Sequence, residues 1–129
     1  MFGFQQLIVY QKALSFAKLA QEIVATVPHG QGGLADQLRR ASVSIPLNIA
    51  EGVGRFGHDD NHRHLAIARG SATECSAILD LCSTFDLVDR ARIEAGALLL
   101  VEIVRMLTAM VMRPEAGKTK TRTKTKTKT

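Results

Sequence analysis

Between residues 58 and 64 stand His58, Asp59, His62 and His64, side chains of the types that hold metal ions or move protons. His58 and His62 are four apart, so on a helix they share a face, as pairs of zinc ligands do. The segment lacks the glutamate of the H-E-x-x-H pattern and no third ligand is assignable, so we expect the solvated start of a helix and no metal site. Asp59 and Asp60 fit the same reading, because carboxylates at a helix N-terminus are stabilised by the helix dipole. Ser42 and Ser44 have no histidine at helical spacing to activate them, which leaves back-bonding or capping as their role. The run Gly52-Val53-Gly54-Arg55-Phe56-Gly57 has the form G-x-G-x-x-G, but no strand precedes it, so it reads as a helix C-cap and turn and not as a dinucleotide loop. Neither a catalytic centre nor a cofactor is expected, and the chain reads as a non-enzyme.

The elements that position these residues are helical. Val9, Ala13, Phe16, Ala20, Ile23 and Val27 recur at spacings of four and three, and Pro28-His29-Gly30 ends that helix. Leu34, Leu38, Ala41, Ile45, Asn48 and Gly52 continue the pattern in a second helix with Pro46 inside it. The proline removes one backbone hydrogen bond, which predicts either a kink or a break with Ser44 as N-cap; the unslipped apolar register favours the kink. A third helix is predicted from about Asp59 to Phe85-Asp86, with a seam of Leu65, Ala68, Ala72, Cys75, Leu79 and Cys82. Gly70-Ser71 within it suggests a close helix crossing. The fourth runs from about Asp89 to Met112 on a seam of Ala97, Leu100, Val104, Leu107 and Val111. Leu98, Leu99, Val101, Ile103, Met106 and Met110 would then lie on its other faces, with Glu94, Glu102 and Arg105 outward, and so much apolar surface predicts self-association. No strand pattern is present and the connections are short, so the expected fold is all-α, an antiparallel up-down-up-down four-helix bundle.

Of 129 residues, 46% are hydrophobic, enough for one domain, which we place at residues 1–117. Residues 118–129 contain only Lys, Arg and Thr and predict a disordered basic tail. Six of the 17 basic side chains lie there, so the domain holds eleven against twelve acids, and the pI of 9.6 belongs to the tail. Cys75 and Cys82, seven apart on one helix, are about 10 Å apart at ~1.5 Å per residue and should be free, buried thiols. With neither a signal peptide nor an apolar run long enough to span a membrane, a cytoplasmic protein without a membrane partner is expected.

The run Q-L-R-R-A-x-x-S-I-P-x-N-I-A-E-G at Gln37–Gly52, followed by I-A-R-G-S-x-x-E at Ile67–Glu74, resembles a small four-helix bundle family. That family is first known from open reading frames in intervening sequences of bacterial large-subunit rRNA genes. The likeness extends loosely to an apolar-Tyr-x-Lys-Ala pattern at Val9–Ala13, and so to nearly all of the chain except the tail. It implies an antiparallel bundle that assembles into a ring, pentameric in members with structures. A distant relative, the accessory variability determinant of diversity-generating retroelements, binds nucleic acid and a reverse transcriptase.

Arg39 and Arg40 are adjacent, about 100° apart around a helix, so one could pair within the bundle while the other faces outward. Glu51 and Glu74 are candidate partners. Asn48, at a seam position, is expected to satisfy backbone groups freed by Pro46 or to set the helix register. The functional expectation is an oligomeric binding or scaffold protein, contacting RNA, DNA or a nucleic-acid-processing partner. Its phosphate contacts would come from Arg39, Arg40 and Arg55 and from the tail residues Lys118, Lys120, Arg122, Lys124, Lys126 and Lys128. The alternative is a purely structural protein–protein interaction module, with the tail a low-complexity extension that has no selected partner.

Overall fold

The computed structural model describes residues 3–115; the expectations for residues 116–129, the basic tail included, fall outside them. Among the described residues there are four α-helices and no strand: α1 Ile8–Thr26, α2 Gly32–Val53, α3 His58–Thr84 and α4 Arg90–Val111. Short 3-10 turns precede α1 and α2. α1 stops where Pro28 forces the residue before it into extended backbone, at Val27. α4 starts on Asp89, whose carboxylate accepts the Arg92 backbone N–H and caps the first turn.

α3 ends through two backbone bonds, Leu87 N–H to the Cys82 carbonyl and Asp86 N–H to the Ser83 carbonyl. This pattern needs a left-handed residue, and Asp86 adopts φ of 54° there.

Each helix packs on its chain neighbour, and α1 and α4 close the circuit; among the described residues no helices approach across a diagonal. The rows expected for α1 and α3 are those found. Val9, Ala13, Phe16, Ala20 and Ile23 of α1 are buried, as are Leu65, Ala68, Ala72, Cys75, Leu79 and Cys82 of α3, with Ile78 added. Both cysteines are free thiols, and burial pushes Cys75 up to about 12, so it stays protonated and packs as a small apolar group.

α2 runs unbroken through Pro46, with Ser42 and Pro46 themselves buried beside Leu38, Ala41, Ile45 and Ile49, so the break at Ser44 is excluded.

α4 departs from expectation. Its buried row is Gly96, Leu100, Ile103 and Leu107, so Ile103 is core, Ala97 is exposed and Val104 and Val111 are half-buried. The physical reason is Gly96: a Cβ there would lie 2.8 Å from Leu79 Cδ1 and 3.4 Å from Phe16 Cε1, so the missing side chain admits two large ones. Glu102, expected outward, is half-buried and receives Lys12 of α1 at 3.2 Å.

The close crossing is also not where Gly70 suggested. A Cβ on Gly70 meets nothing within 4 Å, whereas one on Gly52 would stand 3.1 Å from the Asn61 carbonyl oxygen and 3.2 Å from His64 Cβ and Leu65 Cδ2. Gly52 is thus a buried helix residue that lets α2 and α3 touch, and the C-cap expected within the run Gly52–Gly57 is Gly54.

The two glycines predict opposite outcomes for one substitution. Gly70→Ala should stabilise by about 0.5–1 kcal/mol through helix propensity. Gly52→Ala should destabilise by about 1–3 kcal/mol, because overpacking against backbone outweighs the same gain. Urea denaturation of both variants reads the two signs directly.

A second expectation concerns Asp89. Arg92, through its side chain and its backbone N–H, holds this carboxyl below its ordinary value of 3.8. A carboxylate depressed in the folded state stabilises above its unfolded value and loses that contribution as pH falls through the folded one. Asp89→Ala should lower Tm at about pH 7 and narrow the Tm gap between about pH 6 and pH 3, measured by circular dichroism.

Candidate binding surface

The densest polar structure lies where α2 meets α3. Ser71 Oγ donates to Ser44 Oγ at 2.8 Å, and Asn48 Nδ2 donates to the Ser44 carbonyl at 3.0 Å and to its hydroxyl at 3.1 Å. Asn48 Oδ1 faces His64 Nδ1 at 3.1 Å, and Arg63 Nη2 lies 3.2 Å from His64 Nε2. A guanidinium can only donate, so Nε2 accepts and the ring proton sits on Nδ1, donating to Asn48. Arg63 continues to Asp60 at 3.1 Å, Asp60 to Arg55 at 3.5 Å, and Arg55 to Glu51 at 2.9 Å. Eight side chains thus form one ribbon that passes repeatedly between the two helices. The hydrogen bond from Arg63 and the positive charges of Arg55 and Arg63 hold Asp60 below the usual carboxylate value. Beside the ribbon, Asn61 Nδ2 donates to the Gly52 carbonyl at the point of closest approach.

These bonds decide between the two roles expected of Asn48. The carbonyl left without its helical donor by Pro46 is that of Ser42, four residues back, and Asn48 does not serve it. Asn48 instead bridges to α3, the register role. Ser42 Oγ bonds the Arg39 carbonyl, the back-bonding expected of it, whereas Ser44 accepts from both helices. Asn61, His64 and Ser71 were not singled out for this function. The available signal was their position facing the second-helix residues Gly52, Asn48 and Ser44 in reverse order.

The arginines expected to meet phosphate do not form one patch. Arg39 and Arg40 are both exposed, and both pair with Asp36 of their own helix, at 3.3 and 3.0 Å, so neither turns into the bundle. Arg55 lies past the end of α2, whose last residue Val53 is thirteen positions and about 20 Å beyond Arg40 at ~1.5 Å per residue, and is held by Glu51 and Asp60. Lys118, Lys120, Arg122, Lys124, Lys126 and Lys128 lie outside the described residues. Guanidinium groups with no carboxylate within ion-pair distance occur elsewhere, on the α3–α4 face. Arg69 Nε donates to Thr108 Oγ1, and Arg105 lines an open groove of about 350 Å³ with Thr73, Ser76, Leu100, Val101 and Val104. A second groove, of about 510 Å³, runs between α1 and α4 and is lined by Leu7, Ile8, Val9, Met106, Ala109 and Met110, with Gln6 at its edge. Among the described residues no three metal-ligating side chains converge, and no helix is long and apolar enough to cross a membrane.

Four helices joined by a polar α2–α3 seam, with apolar grooves on both flanks of α4, define a small all-α bundle protein. Residues 5–109 match the model of the 23S rRNA-intervening sequence protein family, and the chain belongs to that family. Among solved structures it is similar to a protein with unknown function from the S23 ribosomal protein family of Bacteroides thetaiotaomicron VPI-5482. The TM-score is 0.77 at 23% identity, over 82% of this chain and 100% of that one, a likeness of fold. No curated protein matches.

The ribbon makes a thermodynamic prediction. Asn48→Ala should cost about 1–3 kcal/mol by leaving half-buried donors and acceptors unmet. A double-mutant cycle with His64→Ala should return a coupling of about 0.5–1.5 kcal/mol. Additive losses in chemical denaturation would refute the bond between the two side chains.

Proposed function

We propose that this chain is a non-catalytic scaffold, an up-down-up-down bundle that assembles with copies of itself. The observation that carries the proposal is the exposure of Leu98 and Val101, each 66%, one turn apart on the same helix, with Ile8 at 62% beside the α1–α4 groove. Apolar area of this extent on both flanks of one helix is what an interface buries. The antiparallel order is supported by the pairs Ser44–Ser71 and Asn48–His64, and by Leu79 and Phe16 both meeting Gly96 while Arg69 reaches Thr108 and Lys12 reaches Glu102.

A closed ring of five copies needs two different faces that meet head to tail. α2 supplies a second one: exposed Val43 and Leu47 stand on its outer side at a spacing of four, and fully exposed Phe56 follows the helix end.

The charge arrangement favours nucleic acid as a second reading only through other residues than Arg39, Arg40 and Arg55. Those three pair with neighbouring carboxylates, Arg39 and Arg40 sharing the single charge of Asp36, whereas the sequence of the tail supplies six further cations with no acid among them.

Sedimentation velocity of the untagged full chain, with absorbance at protein and nucleic-acid wavelengths, tests both. The expected result is a species several times 14.0 kDa, reduced to monomer by Leu98→Glu combined with Val101→Glu. A wild-type monomer, or a variant that remains assembled, overturns the scaffold reading. Co-sedimenting nucleic acid that is lost on removing residues 118–129 assigns its contact to the tail.

A further inference from the structure

We propose that His58 and His62 form a two-imidazole binding site for a divalent transition-metal ion at the start of α3. The two rings stand side by side, with centroids 3.9 Å apart and planes tilted by 45°. An ion held by one nitrogen of each ring at about 2.1 Å sets the nitrogens roughly 3 Å and the ring centroids about 5 Å apart, so the two rings, four residues apart on one helix, must swing out of their present contact to chelate it. Both residues are half-buried, which leaves the remaining coordination positions to water. Neither ring is engaged in an ion pair or a hydrogen bond, in contrast to His64, whose two nitrogens are taken by Asn48 and Arg63. The chain's fourth histidine, His29, lies in the turn between α1 and α2, where no other metal-binding side chain accompanies it.

Imidazole donors suit borderline ions and not hard ones, so Cu²⁺ should bind more tightly than Zn²⁺, and Mg²⁺ should not bind. The cysteines do not compete, since both are buried and Cys75 holds its proton.

The test uses the untagged full chain and the metals alone. Substoichiometric Cu²⁺ should broaden the NMR ring signals of His58 and His62 before those of His29 and His64. Calorimetry should give one Cu²⁺ per chain, with affinity reduced at least tenfold in His58→Gln and in His62→Gln. Zn²⁺ should bind at the same residues more weakly. Broadening that begins at His29 or His64, affinity retained in the double variant, or equal binding of Mg²⁺ would each overturn the proposal. The broadening experiment needs only wild-type protein, so a variant that folds poorly does not shield the claim.

Discussion

The contact on which the rest of the molecule depends is the approach of α2 to α3 at Gly52. With no side chain at that position, the α3 backbone at Asn61 comes within van der Waals reach of α2, and the Asn61 amide fastens the Gly52 carbonyl. Once the backbones are that near, Asn48 and Ser44 are within hydrogen-bonding range of His64 and Ser71, one and two turns farther on. The steric contact sets the distance between the helices and the polar ribbon sets their register. An all-apolar seam of Ile, Leu and Ala could slide by a turn at small cost, whereas a slide here would strand the Asn48 and His64 groups without partners.

That division of labour explains which features were legible in the residues alone. In α1 and α3 a single row at spacings of three and four holds the buried residues, so Val9 to Ile23 and Leu65 to Cys82 could be read off by period. In α4 the apolar residues surround the axis, and two rows fit equally well. The choice between them rests on Gly96, whose value to the core is the space it leaves for Leu79 and Phe16, and a period in hydrophobicity does not register empty space. The same blindness moved the crossing to Gly70. Both Gly52 and Gly70 are glycines in helices, and only the neighbour's position tells the one that is needed from the one that is merely tolerated.

Of the candidate site, individual residues were legible and their partners were not. Asn48 stood out as a polar residue on a seam, but its link to His64 joins positions sixteen apart across a turn. The ion-pair partners of the arginines were hidden for a related reason. Arg39 and Arg40 look like a basic pair in the sequence, yet Asp36, three and four residues earlier, takes both. Asp36 brings one charge against two, so the doublet keeps a net charge of about +1, the same as a lone guanidinium facing an open groove with no carboxylate beside it.

Arg105 is such a guanidinium, and its setting bears on what the scaffold could hold. It stands on the α3–α4 face beside Val101, Val104 and Leu100, with hydroxyls from Thr73 and Ser76 across the groove. An apolar floor with one unpaired cation at its edge is poor at retaining a nucleic-acid backbone, which rewards several cations in a row. The sequence of the tail carries the opposite chemistry, six cations and no apolar group, so a phosphate backbone would meet the two regions with unequal strength: salt-sensitive attraction along the tail and a single charge beside aliphatic side chains at the groove.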